Sequence, residues 1–173
     1  MMLIADDDGL AVEMDRTLPL ERFVGPFYAI QDSGAEVVLA SPKGGFPWIG
    51  LARDAQTTSL LVQRFRVDRA AREELTDTLR LEQINAKDFD AAFCVGRQGG
   101  AWRDPSSAGA LITAFLELGK PVALFPGNLD LTSLVSGNAL LIMGDRTETP
   151  LLAAHALLSA LANSPLPSEG RSP

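Results

Sequence analysis

Along this chain, short apolar runs alternate with stretches whose apolar residues recur every three or four positions. The first pattern suits a strand buried on both faces and the second an amphipathic helix. Their alternation predicts a parallel sheet covered by helices. Residues 2–5 form a first strand, ended by Asp6-Asp7-Asp8. Over 21–32, Phe23, Val24, Phe27 and Ile30 share one helical face. Pro26 inside that stretch removes a backbone donor, so a kink or a late start is expected. Gly34 falls where a left-handed C-cap belongs. Residues 36–40 are the second strand, broken by Ser41-Pro42-Lys43-Gly44-Gly45.

Residues 46–67 have no clear period, yet Phe46, Trp48, Ile49 and Leu51 are too apolar for a free loop. They are expected to cover part of the core or to form a subunit contact. A helix follows over 68–79 with Asp68 as its N-cap. Residues 90–95 are the third strand, stopped by Gly96-Arg97-Gln98-Gly99-Gly100. A helix over 106–118 carries Leu111, Ile112, Phe115 and Leu116 on one face and Gly119 at its C-cap. Strands over 121–125 and 139–143 and a helix over 149–161 complete the series. These elements predict a single α/β domain over residues 1–162, a three-layer sandwich. Its mostly parallel, flavodoxin-like sheet has about five or six strands, with helices on both faces. Residues 163–173, rich in Ser, Pro and Gly, read as a disordered tail. In such sheets ligands bind beyond the carboxyl ends of the strands, which directs attention to Asp6–Asp8, Gly96–Gly100 and the turn after residue 125.

Composition narrows the function classes. The 173 residues are 46% apolar and carry a formal charge of −7, which suits one ordinary globular core. No basic face is available to displace phosphate counterions, so nucleic acid is an unfavoured partner. Cys94 is the only cysteine, so no internal disulfide forms and no oxidising compartment is needed. The first residues lack the basic start and long apolar core of a signal peptide, and the apolar runs fall far short of the ~18 residues of a membrane span. The expectation is a cytoplasmic protein with no membrane partner.

Several segments then bear a family likeness. They are Gly25-Pro26-Phe27-Tyr28, Asp32, the run Gly34-Ala35-Glu36-Val37-Val38-Leu39-Ala40-Ser41-Pro42-Lys43-Gly44-Gly45, and Asp88-Phe89-Asp90-Ala91. Trp102, Gly119-Lys120-Pro121-Val122-Ala123 and Leu140-Leu141-Ile142-Met143-Gly144 continue the pattern. Together they resemble the ThiJ/PfpI superfamily, within the class I glutamine amidotransferase-like fold, and above all its glyoxalase- and chaperone-like branch. The resemblance implies a cysteine nucleophile on a strained turn after the strand of Gly-Lys-Pro-Val-Ala, a histidine directly after it, and a glutamate from the first helix that holds the thiol's proton. At those positions the resemblance sets Pro126, Gly127 and Arg22; the neighbouring Glu21 points about 100° away around the helix. The Gly-Gly-His-Gly turn of the family reads Gly96-Arg97-Gln98-Gly99 here. Only residues 129–138 separate the last two strands, so the family's elbow helix and much of its lid are expected to be missing.

The reading that follows is a catalytically inert ThiJ/PfpI-like domain acting as a binding or assembly module. The alternative is a cysteine-dependent glyoxalase, deglycase or amidase of the same superfamily. No residue is assigned a catalytic role. The vestigial pocket is expected to comprise Asp7, Arg22, Gly96, Arg97, Gln98, Pro126 and Gly127. Arg22 and Arg97, with Arg103, either pair with nearby carboxylates and plug the vacated site, the favoured reading, or hold a small anionic ligand. Asp6–Asp8 is read as a solvated acidic turn, with a Mg²⁺ or Ca²⁺ site as the competing reading. Cys94, within an apolar strand, is read as a small hydrophobe, and His155 as a surface or contact residue of the last helix. Neither a metal site nor a cofactor is assigned, and Gly96–Gly100 lacks the spacing of a dinucleotide fingerprint. A homodimer that uses part of residues 46–62 is expected, against the alternative that this segment caps its own core.

Overall fold

A computed structural model describes residues 1–5, 18–47, 49–50, 59–96, 108–125, 140–143 and 150–163. In chain order they form β1 (Met2–Ala5), β2 (Leu18–Pro19), α1 (Leu20–Asp32), β3 (Leu39–Ser41), β4 (Ile49–Gly50), α2 (Leu60–Val67), α3 (Arg69–Thr76) and β5 (Leu79–Arg80). Two 3₁₀ turns, Leu81–Gln83 and Ala86–Asp88, lead to β6 (Ala92–Gly96), α4 (Ala108–Glu117), β7 (Val122–Phe125), β8 (Leu141–Met143) and α5 (Pro150–Asn163). The main sheet has the order β5-β3-β1-β6-β7-β8, and every neighbouring pair is parallel. Without the two-residue edge strand β5, this is the flavodoxin order. A small second sheet pairs β2 with β4.

Alternation along the central strands builds the two faces. Phe93 and Val95 of β6 and Ala123 of β7 join Met2 and Ile4 in a cluster with α1, α2, α3 and α5. Ala92, Cys94, Val122 and Leu124 point the other way, into a cluster with α4 and the two 3₁₀ turns. Both faces of β6 and β7 are therefore buried, which is why these strands read as unbroken apolar runs. On the first face Phe23 stacks on Phe27 at 5.1 Å between centroids and meets Phe65 edge-on at 5.8 Å. Such pairs are worth about 0.5–1.5 kcal/mol beyond the area they bury.

Three boundaries differ from the pattern-based reading. α1 runs unbroken through Pro26 and starts at Leu20, so the late start is not found; Pro26 is buried on the core side. The second strand begins only at Leu39, because residues 35–38 lie outside regular pairing. α3 stops at Thr76 and not at 79, since Thr78 bridges to Gly45 and Leu79–Arg80 pairs with Ala40–Ser41. Asp68 does cap α3: one carboxylate oxygen accepts from the Ala71 amide at 3.1 Å. The other accepts from the Tyr28 hydroxyl, also at 3.1 Å, which ties α3 to α1.

Two of the segments that carried the family likeness, around Ser41–Gly45 and Gly119–Lys120, prove to hold turns. Gly44 and Gly45 both have φ of +72°, and a Cβ on Gly44 would lie 2.7 Å from the Arg80 side chain. Thr78 donates its hydroxyl proton to the Gly45 carbonyl at 2.5 Å. Ser41 therefore donates in turn to Thr78, at 2.7 Å within the core. Lys120 donates through Nζ to the carbonyls of Ala86 and Lys87, both at 2.9 Å, and of Phe89. Its ammonium thereby closes the C-terminal end of the second 3₁₀ turn.

Candidate functional site at the carboxyl ends of the strands

A doubly wound sheet opens a crevice where its strand order reverses, here between β1 and β6. The register brings three strand ends together: Ala5 pairs with Gly96, and Val95 with Phe125. Directly after these ends in sequence come Asp6–Asp8, Arg97–Gly100 and Pro126–Gly127. Asp7, Arg97, Gln98, Arg103, Pro126 and Gly127 lie outside the described residues. Of the expected pocket, Arg22 and Gly96 are described.

The first turn of α1 supplies the polar groups on this wall. Arg22 is half-buried, and its guanidinium carbon lies 5.5 Å from the centroid of the Phe125 ring. Phe125 is the last residue of β7, the strand on whose following turn the family resemblance sets its nucleophile. The contact is a cation–π interaction, worth about 0.5–2 kcal/mol according to its desolvation. Glu21, one residue earlier, has a buried carboxylate oxygen, Oε2, with no hydrogen-bond partner among the described residues. Sequence reasoning gave neither the Glu21 carboxylate nor the Phe125 ring a role in the site. An apolar residue ending a buried strand carries no pattern that would single it out.

Cys94 sits two residues before the end of β6, at 0% exposure, packed against the α4 side of the sheet. Burial pushes its thiol well above the usual cysteine range. The thiolate, which is the nucleophilic form, is thus suppressed, and the side chain packs as a small hydrophobe. His155 is exposed on α5, where its backbone carbonyl accepts from Ser159 Oγ at 2.9 Å. Among the described residues no group of three or more His, Cys, Asp or Glu could hold a metal ion.

No family model matches the chain, and no curated protein matches its sequence. Solved structures do match in shape. The 24 kDa rapid encystment protein of Francisella tularensis superposes with a TM-score of 0.63 at 15% identity, over 92% of this chain and 98% of its own. Glyoxalase III of Candida albicans gives 0.61 at 15% identity, over 92% and 96%. A ThiJ/PfpI domain protein of Brachyspira murdochii gives 0.58 at 14% identity, over 95% and 96%. The fold is that of the ThiJ/PfpI proteins. At such identities the likeness concerns the fold, and function must be argued from the site. Within this ThiJ/PfpI fold, the described part of the crevice presents a guanidinium against the end of β7. The chain's one thiol is on a different strand, inside the core.

Proposed function

We propose that this chain is a catalytically inert ThiJ/PfpI-fold domain that serves as a cytoplasmic binding or assembly module. The observation that carries the reading is Arg22 over Phe125. Where the family resemblance sets a proton-holding glutamate, this chain has a side chain with five donors and no acceptor, which cannot take a proton from a thiol. The burial of Cys94 supports the same reading, since no other cysteine is present to replace it. Pro126 and Gly127, at the nucleophile and histidine positions of the resemblance, bring neither a nucleophile nor a base. A guanidinium facing the crevice is suited to hold a small anion or a partner's carboxylate.

The test is turnover. Purified protein given millimolar methylglyoxal should convert none above the buffer rate. Conversion that disappears in Cys94→Ser would overturn the proposal and establish the thiol-dependent alternative, the activity named for the Candida albicans structural neighbour.

A further inference from the structure

At the opposite, amino-terminal edge of the sheet lies a cavity of about 260 Å³, between the last turns of α1 and α5 and the loop before β6. Its floor is apolar, with Phe89, Leu157 and Leu161, and its rim carries three carboxylates, Glu36, Asp88 and Asp90. All three acids are exposed, and none makes a hydrogen bond or ion pair with another described side chain. Met1 also lines the wall, and its amino group donates to the Ala91 carbonyl at 3.1 Å and lies beside Asp90. Lys120 stands behind the same loop with its ammonium engaged by three carbonyls. The geometry adds to the charge. In a parallel α/β sheet the covering helices run against the strands, so α1 and α5 both turn their carbonyl ends, the negative poles of their dipoles, toward this edge.

We propose that this cavity is a binding site for a small organic cation, a primary amine or guanidinium carried on a compact apolar body. A cavity of roughly 150 Å³ accommodates benzene, so about 260 Å³ takes an aromatic ring with a two- or three-atom arm. The ring replaces water over the apolar floor, and the arm brings its charge to the carboxylate rim. Beside Glu36, Asp88 and Asp90 an anion is disfavoured, and a neutral analogue forgoes the electrostatic part. The site is independent of the crevice at the other end of the strands and of the reading given to it.

The probe is phenethylamine, followed by two-dimensional amide NMR on the whole chain at low salt, with phenylethanol and phenylpropionate as isosteric controls. Saturable shifts confined to residues 30, 35–38, 88–91 and 157–161 are expected. Phenylethanol should bind about tenfold more weakly, the worth of two or three exposed charge contacts, and phenylpropionate more weakly still. The variant Glu36→Gln/Asp88→Asn, altered only at exposed positions, should weaken the amine and leave the alcohol unchanged. Leu161→Trp, which fills part of the apolar floor, should weaken both. Equal binding of amine and alcohol, shifts that map elsewhere, amine binding indifferent to the two neutralised carboxylates, or no saturation by about 20 mM would each overturn the proposal.

Discussion

Replacing Lys120 with methionine tests the most specific structural role found for a motif residue. The substitution keeps the length and apolar stem of the side chain and removes the ammonium. Three carbonyls then lose their shared donor, at distances of 2.9, 2.9 and 2.5 Å in the native state. Hydrogen bonds to a charged group contribute about 1.5–3 kcal/mol each, but the three are not additive here. The Lys87 carbonyl is exposed and regains water, whereas those of Ala86 and Phe89 are partly buried and do so less well. A loss of about 2–3 kcal/mol is therefore expected, or roughly 5–10 °C in Tm for a chain of this length. Urea unfolding with an unchanged m-value measures it. Because the acceptors are carbonyl dipoles and not ions, added salt should leave the difference between wild type and variant largely intact. Lys120→Arg should recover only part, since a planar fork cannot converge on three carbonyls as a rotating ammonium does. A Lys120→Met loss below about 0.5 kcal/mol, the range of ordinary surface substitutions, would refute the reasoning.

Other consequences are open to equally direct measurement. Tyr28 is the only tyrosine, and burial, followed by its hydrogen bond to Asp68, raises its phenol to about 12. Tyrosinate absorbance should therefore rise near pH 12 in the folded protein and near the ordinary value of about 10 in denaturant. Because the folded value is the higher, the stabilisation is fully present below pH ~10 and is lost as pH climbs toward ~12; a folded midpoint at 10 would contradict the burial of Tyr28 and, with it, its contact with Asp68. Gly44→Ala forces a Cβ into left-handed backbone and to within 2.7 Å of the Arg80 side chain, so a loss of at least ~1 kcal/mol is expected in thermal unfolding, and a neutral result would show the turn to be wrongly placed. If Asp6–Asp8 is a solvated turn, millimolar Mg²⁺ or Ca²⁺ should leave Tm unchanged. A site filled a hundredfold above its Kd would add about 2.7 kcal/mol, and such a shift abolished by Asp7→Asn would establish a cation site. For association, Phe46 and Leu60 are 52% and 80% exposed, while Ile49 and Leu61 pack on the core, so the described part of residues 46–62 divides between the two expected roles. A homodimer in sedimentation at micromolar concentration is expected, and a single-chain mass unchanged by Trp48→Glu would sink it.

The legible parts of the fold were those whose burial imposes a pattern. β6 and β7 are covered on both faces and therefore read as solid apolar runs, while α1 is covered on one and reads with helical period. α2 escaped the same reading for a physical reason. Of its apolar residues, Val62 and Phe65 turn inward, but Leu60 and Val67 are about four-fifths exposed, which blurs the stripe. α3 was extended too far because Leu79 falls four residues after the buried Leu75, as a continuing helix would place it. The chain instead leaves the helix at Thr76 for a bond between Thr78 and Gly45 that no local pattern announces. The two-residue strands β2, β4 and β5 are too short to carry any period.

The same contrast explains how a resemblance visible in the sequence can coexist with identities of 14–19% to structures of the same fold. Gly34, Gly44, Gly45 and Gly119 all occupy left-handed backbone, where another residue would be strained. Ser41 and Lys120 satisfy backbone and hydroxyl groups at the turns those glycines make possible. Such positions are fixed by the course of the chain, because a substitution there strands a buried donor or acceptor or forces a forbidden φ. Residues that would perform chemistry answer to a different constraint, the substrate, and nothing in the packing of the sheet requires them. A helix end where the family resemblance sets a carboxylate can hold a guanidinium against Phe125 without disturbing a single strand pairing. Shared turns therefore attest to a shared fold, while the groups facing the crevice, beginning with Arg22, must be tested on their own terms.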